Sequence, residues 1–445
     1  MNDETMNSDI RQFKTSSILK FFLASLFGLF AFFVRFDFNG QNSILVDHIV
    51  SFVRPYVSPN YLLMMFLFGI FCVIDTFFIK KNWNKNFISR TIAIVTTIGS
   101  IMAALIYFQI GPAFFLDPEI GPNASILNGI ASLTVLVAGI FLTFLVDFGL
   151  IEAVGVVLRP LMRPLFKTPG RASVIALSAF LGNFSMGHIS TNILYKDGKF
   201  NKKEAAIIAL GFCTPSVGIM LLFTNLLGMM EYWNLIFVTS ILVTLLITFI
   251  MIRLYPLNKK TLDYYEGATP SYEPEVKVKV FKTALSEGVS VAEKAGPVLK
   301  RLVTTFLMTL RVVTNMMMSG IFVLVVGLLL LKYTPIFTYV GYVFWPFFKI
   351  VGFASTDIAI IMQSASMSFL DIYLSVLIGV GQDLSIGAKF FLCLYPMTVS
   401  VFVSGFWPVV LSTDLPVKPL DLVITWFLRM ILTILIVGLL ATLIF

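Results

Sequence analysis

The stretch Ser173-Val-Ile-Ala-Leu-Ser-Ala-Phe-Leu-Gly-Asn183-Phe-Ser185-Met-Gly-His188-Ile-Ser-Thr191-Asn192-Ile-Leu194 is apolar enough to enter a bilayer, and cations stand on both sides of it. Upstream lie Arg159, Arg163, Lys167 and Arg171; downstream lie Lys196, Lys199, Lys202 and Lys203. Lys and Arg in short loops mark the cytoplasmic side of a membrane protein. Both ends of this stretch therefore belong on that side. A segment that enters and leaves on one side is a re-entrant hairpin, not a span. Its composition agrees: Gly182, Asn183, Ser185, Gly187, His188, Ser190, Thr191 and Asn192 are too polar for a helix facing lipid. Non-helical backbone at membrane depth survives only against protein or a water-filled cavity.

Working outward, the chain has 445 residues, of which 58% are hydrophobic and only 13% charged, with a mean hydropathy of +0.92. That is about half the charge a soluble domain carries. Apolar blocks near 20 residues, enough to cross the hydrocarbon layer, run over 18–34, 61–79, 91–110, 126–150, 205–227, 235–252, 302–331, 390–411 and 422–445. A soluble enzyme, a nucleic-acid-binding module and a disordered chain are excluded. The net charge of +8 reads as loop bias rather than affinity for nucleic acid. The first block follows a polar, mixed-charge start and precedes no cleavage pattern, so it is expected to be a retained helix. Cys72, Cys213 and Cys393 all sit in apolar runs and imply no disulfide framework. No HExxH, GxSxG, GxxxxGK[ST] or paired-acid motif occurs, so an enzyme is not expected.

The loop cations place the N-terminus in the cytoplasm of a cell-membrane protein, with the connectors at Asp117/Glu119 and Glu231 outside. The one long polar segment, 253–301, is expected to be a cytoplasmic linker whose second half, Val276 to Leu299, lies on the membrane surface as an amphipathic helix. Around it the chain contains a repeat. Pro164-Leu-Phe-Lys-Thr-Pro-Gly170-Arg-Ala-Ser173 matches Pro346-Phe-Phe-Lys-Ile-Val-Gly352-Phe-Ala-Ser355 at six of ten positions, 182 residues apart. Cys213-Thr214-Pro215 meets Cys393-Leu394-Tyr395-Pro396 at nearly the same offset. The expected architecture is all-α, with three N-terminal spans over 1–125, a first repeat over 126–252 with its hairpin at 173–194, and a second over 302–445 with a hairpin at 358–380. Counting crossings makes about nine spans plus two re-entrant hairpins and inverts the two units, an arrangement found in secondary transporters.

The run Leu158-Arg-Pro-Leu-Met-Arg-Pro164, then Ser185-Met-Gly-His-Ile-Ser-Thr-Asn192 and Lys203-Glu-Ala-Ala-Ile-Ile-Ala-Leu-Gly211, resembles the nucleoside-recognition Gate domain. Asn39-Gly-Gln-Asn-Ser-Ile-Leu-Val-Asp47-His48 resembles the start of YjiH-type membrane proteins that carry that domain. Gate domains also occur in concentrative nucleoside transporters, FeoB-type ferrous-iron transporters and spore-maturation membrane proteins. The resemblance implies a nucleoside-transporter-like fold, an elevator-like motion and a homo-oligomer.

Hairpin tips and interrupted helices expose backbone groups within the membrane, where carbonyls and hydroxyls suit Na⁺ and half-helix N-termini suit electron-rich solutes. Candidate ligands in the first unit are Asn183, Ser185, His188, Thr191, Asn192, Thr214 and Ser216, around a break at Pro215. Those in the second are Gln363, Ser364, Ser366, Tyr395, Thr398 and Ser400, around a break at Pro396. A proline within a helix frees the carbonyl four residues earlier, here Gly211 and Leu392. Arg311, in a long span, is expected to snorkel or to pair with an acid. The cysteines have no metal-ligand spacing and read as small apolar residues. The expected function is secondary transport of a small polar solute, a nucleoside or relative, with Na⁺ the candidate coupling ion and no other cofactor. The alternatives are a divalent-metal transporter and a non-transporting membrane scaffold.

Overall fold

The computed structural model describes residues 13–81, 83–84, 87–181, 184–270 and 280–445. The elements before the first repeat are α1 (Thr15–Phe33), the strands β1 (Arg35–Phe38) and β2 (Gln41–Ile44), α2 (Leu45–Val57), α3 (Tyr61–Ile74), α4 (Phe87–Phe108) and α5 (Ala113–Leu116). The two strands pair antiparallel across Asn39-Gly40, whose φ values of 51° and 79° are those a two-residue hairpin turn needs. This ribbon was not foreseen, although Asn-Gly between short extended runs is a strong hairpin signal.

The first repeat comprises α6 (Gly121–Val146), α7 (Leu150–Leu161), α8 (Ala172–Leu181), α9 (Phe184–Lys196), α10 (Lys202–Gly211), α11 (Val217–Leu226) and α12 (Trp233–Met251). After the linker helix α13 (Val280–Lys294), the second comprises α14 (Val298–Tyr333), α15 (Ile336–Tyr342), α16 (Trp345–Val351), α17 (Ser355–Met367), α18 (Ile372–Leu377), α19 (Ile386–Val399), α20 (Phe406–Leu411) and α21 (Pro419–Ile444). In each repeat a long leading helix and short helices precede a helical hairpin, a broken helix and a long closing helix. Among the described residues, seven helical runs are long and apolar enough to cross a membrane. They coincide with seven of the nine expected spans; the other two expected spans, 205–227 and 390–411, fall on the broken helices α10–α11 and α19–α20. The chain is an all-α polytopic membrane protein.

Contacts at opposite ends of paired helices give their relative direction. Lys332, ending α14, is 2.7 Å from both Asp117 and Glu119, just before α6. Arg301, starting α14, is 3.0 Å from Asp147, just after α6. Midway, Asn128 Nδ2 donates to the Met317 carbonyl at 2.6 Å. The leading helices therefore run antiparallel. The closing helices do too: Tyr232 before α12 meets Phe445 after α21, and Lys260 beyond α12 holds Asp421 at the start of α21. Corresponding elements thus run in opposite directions, as inverted repeats must.

Close helix approach depends on small residues in membrane proteins. A Cβ on Gly99 of α4 would fall 1.8 Å from the Met318 carbonyl oxygen of α14, so these backbones touch only because residue 99 is glycine. The amphipathic linker helix ends at Lys294, before the expected Leu299. It buries Ala284, Gly288, Val289 and Ala292 against α7 and α1 while leaving Phe281 and Leu285 exposed. Its Glu287 accepts from Arg159 of α7 at 2.7 Å. The buried apolar residues form two main clusters. One contains the first hairpin, the broken helices, the closing helices and most of the buried residues of α6; the other is built chiefly on α3, α4 and α14, joined by Met367, Leu374 and Leu377 of the second hairpin.

Candidate functional site

The first broken helix starts firmly and stops abruptly. Asn201 caps α10 by accepting from the Glu204 amide at 2.9 Å, while Glu204 accepts from the Asn201 amide at 3.0 Å. Ten residues later α10 ends at Gly211. Pro215 has no N–H to give the Gly211 carbonyl, and its ring blocks the next turn. That carbonyl is met instead from other helices, by Thr248 Oγ1 at 2.8 Å and by Arg429 Nη1 at 3.0 Å.

Arg429 is fully buried and lies where the two broken helices converge. Its Nη1 also donates to the Leu210 carbonyl at 2.9 Å, and its Nη2 to the Cys213 carbonyl at 3.3 Å. On the other side, Nε and Nη2 donate to the Thr398 carbonyl, next to the C-terminus of α19, at 2.9 and 2.5 Å. Five hydrogen bonds match the five N–H groups of a guanidinium. No acid pairs with Arg429 among the described residues. Each helix C-terminus carries roughly half a negative charge, so two of them meeting here balance one cation.

The second break differs from the expectation. α19 continues through Pro396 and turns only at Ser400, whose φ is 32°. The break therefore occupies residues 400–405, and the Leu392 carbonyl is not where it forms. Its extended chain pairs with the tip of the second hairpin: the amides of Val403 and Ser404 donate to the carbonyls of Phe369 and Leu370 at 2.9 and 3.0 Å. Asp371 caps α18 through the amides of Tyr373 and Leu374 at 2.7 and 3.1 Å, and accepts from Ser404 Oγ. α21 turns one face toward this junction, through Trp426, Arg429, Met430 and Thr433, the i, i+3, i+4, i+7 spacing of a helix stripe. Trp426 Nε1 donates to Ser368 Oγ at 3.4 Å, Tyr395 Oη lies 2.9 Å from Met430 Sδ, and Thr433 meets Thr398 Oγ1 at 3.1 Å.

In the first hairpin, Gly187 packs against Ala179, so α8 and α9 fold back on each other. His188 Nε2 is 3.0 Å from the Ala209 carbonyl, one residue before those held by Arg429, and its ring stands edge-on to Phe406. A small, mostly apolar cavity lies beside it between Ile175, Ala179, Ile208 and Phe212, with room for about one water molecule.

The candidate residues thus separate into groups. Thr214, Tyr395 and Thr398 flank the crossing, and His188 adjoins it. Thr214 is fully buried, and its hydroxyl has no hydrogen-bond partner among the described residues. Ser216 is half-buried at the start of α11, and Ser400 bonds back to the carbonyls of Pro396 and Met397. Three candidates hold the second hairpin in place instead of facing the crossing: Gln363 reaches Thr338 and Ser366 the Phe337 carbonyl, both on α15, and Ser364 reaches the Ser375 carbonyl within the hairpin. Thr191 bonds back to its own helix at Gly187, while Asn192 sits at the basic end and accepts from the Asp414 amide. Asn183 and the side chain of Ser185 lie outside the described residues. Arg311 is 3.4 Å from the buried Asp75, so it pairs with an acid rather than only snorkelling.

Sequence reasoning missed Arg429, Trp426, Thr433 and Thr248 because α12 and α21 read as plain spans. A signal was present: an arginine inside an apolar helix is expensive unless it faces protein.

Residues 130–230 match the family model Gate, described as nucleoside recognition. An uncharacterized protein of Alkalihalophilus pseudofirmus is 28% identical over 434 residues, covering 94% of this chain and 93% of its own. Among solved structures, CNTnw in an inward-facing substrate-bound state covers 95% of this chain and 98% of its own, at 11% identity and a TM-score of 0.42. A CNTnw double variant in an outward-facing state covers 97% and 100%, at 13% identity and a TM-score of 0.43.

Proposed function

We propose that this chain is a secondary transporter of a small polar solute, a nucleoside or a close chemical relative, acting in the cell membrane with its N-terminus in the cytoplasm. One observation carries the reading: two oppositely directed units, each a helical hairpin beside a broken helix, converge on a polar crossing in the interior. Broken helices in inverted repeats are how transporters present backbone groups to a solute at membrane depth. The Gate match over the first unit supports the nucleoside class. The grouping of α3, α4 and α14 in a cluster apart from the first hairpin, the broken helices and the closing helices supports an elevator-like motion, with those elements moving against α3, α4 and α14. Thr214 Oγ1, a buried hydroxyl with its hydrogen-bonding capacity unspent, is the proposed solute contact.

The test is thermal unfolding of purified protein with nucleosides, amino acids, dipeptides, organic acids and divalent metals. A ligand that binds only the folded state raises Tm by mass action. Nucleosides are expected to do so, and Thr214→Val to remove that shift without lowering the Tm of the free protein. Nucleosides without effect on Tm or on uptake into proteoliposomes would overturn the reading. A second reading, a membrane scaffold on the same fold, is favoured by the filled crossing, whose adjoining cavity admits only a water-sized occupant. Silence across every ligand class would favour it.

A further inference from the structure

The carbonyls freed by helix breaks looked from the sequence like ligands for Na⁺, yet at the crossing they are occupied by the protein itself. Three carbonyls at the end of α10, those of Leu210, Gly211 and Cys213, and the Thr398 carbonyl near the end of α19 form a nest of oxygens around Arg429. Such a nest, built from two helix C-termini with no carboxylate among its described members, is chemically a monovalent cation site: hard neutral oxygens, backed by about one negative charge from the two dipoles. The guanidinium fills it from a third helix. With its five donors spent on these carbonyls, Arg429 has none left for a carboxylate or phosphate on a solute.

We propose that Arg429 is a tethered cation that takes the place of a free monovalent ion at the crossing of the two broken helices. The breaks are held open and charge-balanced without bound Na⁺, and the chain carries the equivalent of its ion covalently on α21. Three consequences follow from this arrangement. The folded protein is indifferent to the identity of the monovalent cation in solution. Charge at position 429 matters more than side-chain shape. Truncating Arg429 also leaves an oxygen-lined vacancy that a small free cation can enter. The proposal concerns the resting architecture and holds whether or not the chain moves a solute, so its failure and that of the transport reading are distinguishable.

The experiment is thermal unfolding of the full chain in nanodiscs, in NaCl, KCl and choline chloride at equal ionic strength. Wild type, Arg429→Ala, Arg429→Lys and Arg429→Gln are compared, each with and without millimolar guanidinium. Wild type is expected to melt at the same temperature in all three salts. Arg429→Ala is expected to melt lower, to recover part of the loss in guanidinium, and to prefer Na⁺ or K⁺ over choline. Arg429→Lys should retain more of the wild-type Tm than Arg429→Gln, a comparison that remains available if the alanine variant does not fold. Specific stabilisation of wild type by Na⁺ would overturn the proposal. So would equal losses for lysine and glutamine, or a folded alanine variant that guanidinium does not rescue.

Discussion

The two repeats share an order of elements but solve the same problem differently. In the first, Pro215 stops α10 abruptly, and the stranded carbonyls are met by side chains from two other helices, Thr248 of α12 and Arg429 of α21. In the second, α19 runs past Pro396, and the break that follows is stabilised largely by backbone pairing with the tip of its own hairpin. The closing helices differ accordingly. α12 contributes a single hydroxyl to the crossing, whereas α21 contributes an arginine, a tryptophan and a threonine along one face. The first repeat therefore supplies three of the four carbonyls around Arg429, and the second supplies the fourth and the charge. Inverted likeness of shape does not require equivalence of chemistry, because the crossing is shared and one cation suffices for both breaks.

This division is tested most severely at residue 429. Arg429→Gln leaves most of the four carbonyls unmet in a buried site, and a buried unsatisfied polar group costs about 1–3 kcal/mol. The expected loss is several-fold that of one hydrogen bond, readable as a large drop in Tm, with both breaks affected together. Thr248→Val is the matching change on the first repeat's side. It removes one of two donors to Gly211, so a loss of about 1 kcal/mol is expected. Equal losses for the two variants would break the comparison.

The prolines sharpen it further. Pro396 lies inside a continuous helix, where alanine restores an N–H able to bond the Leu392 carbonyl, so Pro396→Ala is expected to leave Tm unchanged or raise it. Pro215 lies in the break itself, where alanine frees the unfolded chain more than the folded one, and a loss of up to about 1 kcal/mol is expected. Opposite signs on chemical unfolding support the contrast; the same sign would remove it.

The smallest effect concerns the tie between the leading helices. Lys332 donates a hydrogen bond to Asp117, and the Glu119 amide adds a second, so the Asp117 carboxyl is held below its ordinary range. A carboxyl depressed by folding stabilises above its unfolded pKa, and that contribution fades as pH falls through the folded value. The tie should weaken only below about pH 4. Because the pair is exposed, Asp117→Asn is expected to shift Tm slightly and to flatten the acid limb of a Tm-against-pH profile.

Much of the architecture was readable because it rests on local signals. The cations around residues 173–194 pointed to a hairpin, and α8 and α9 form one. The match of Pro164–Ser173 with Pro346–Ser355 pointed to a repeat, and the leading helices run antiparallel as its inversion requires. The second break was misjudged because a proline was equated with the end of a helix. A helix can absorb one proline when packing holds it straight, and α19 is buried from Ala388 through Val399 apart from Lys389. The site was less legible than the fold. Serines 364 and 366 had the polarity of ligands, but their partners are carbonyls within the hairpin and on α15, a choice that depends on which neighbour lies within reach.

By itself, then, the amino-acid sequence determined that this chain crosses a membrane and that α10 cannot continue past Gly211, and it raised the expectation of a hairpin at 173–194 and of an inverted repeat. These follow from hydropathy, charge placement and the missing N–H of a proline, all properties of neighbouring residues. Only the tertiary structure decided what receives the freed carbonyls. Arg429 stands 218 residues from Gly211 along the chain, and no local pattern links them. Their meeting follows from two helix C-termini brought within reach of one side chain in a buried interior, where unmet oxygens demand a donor and the balancing charge comes from a third helix.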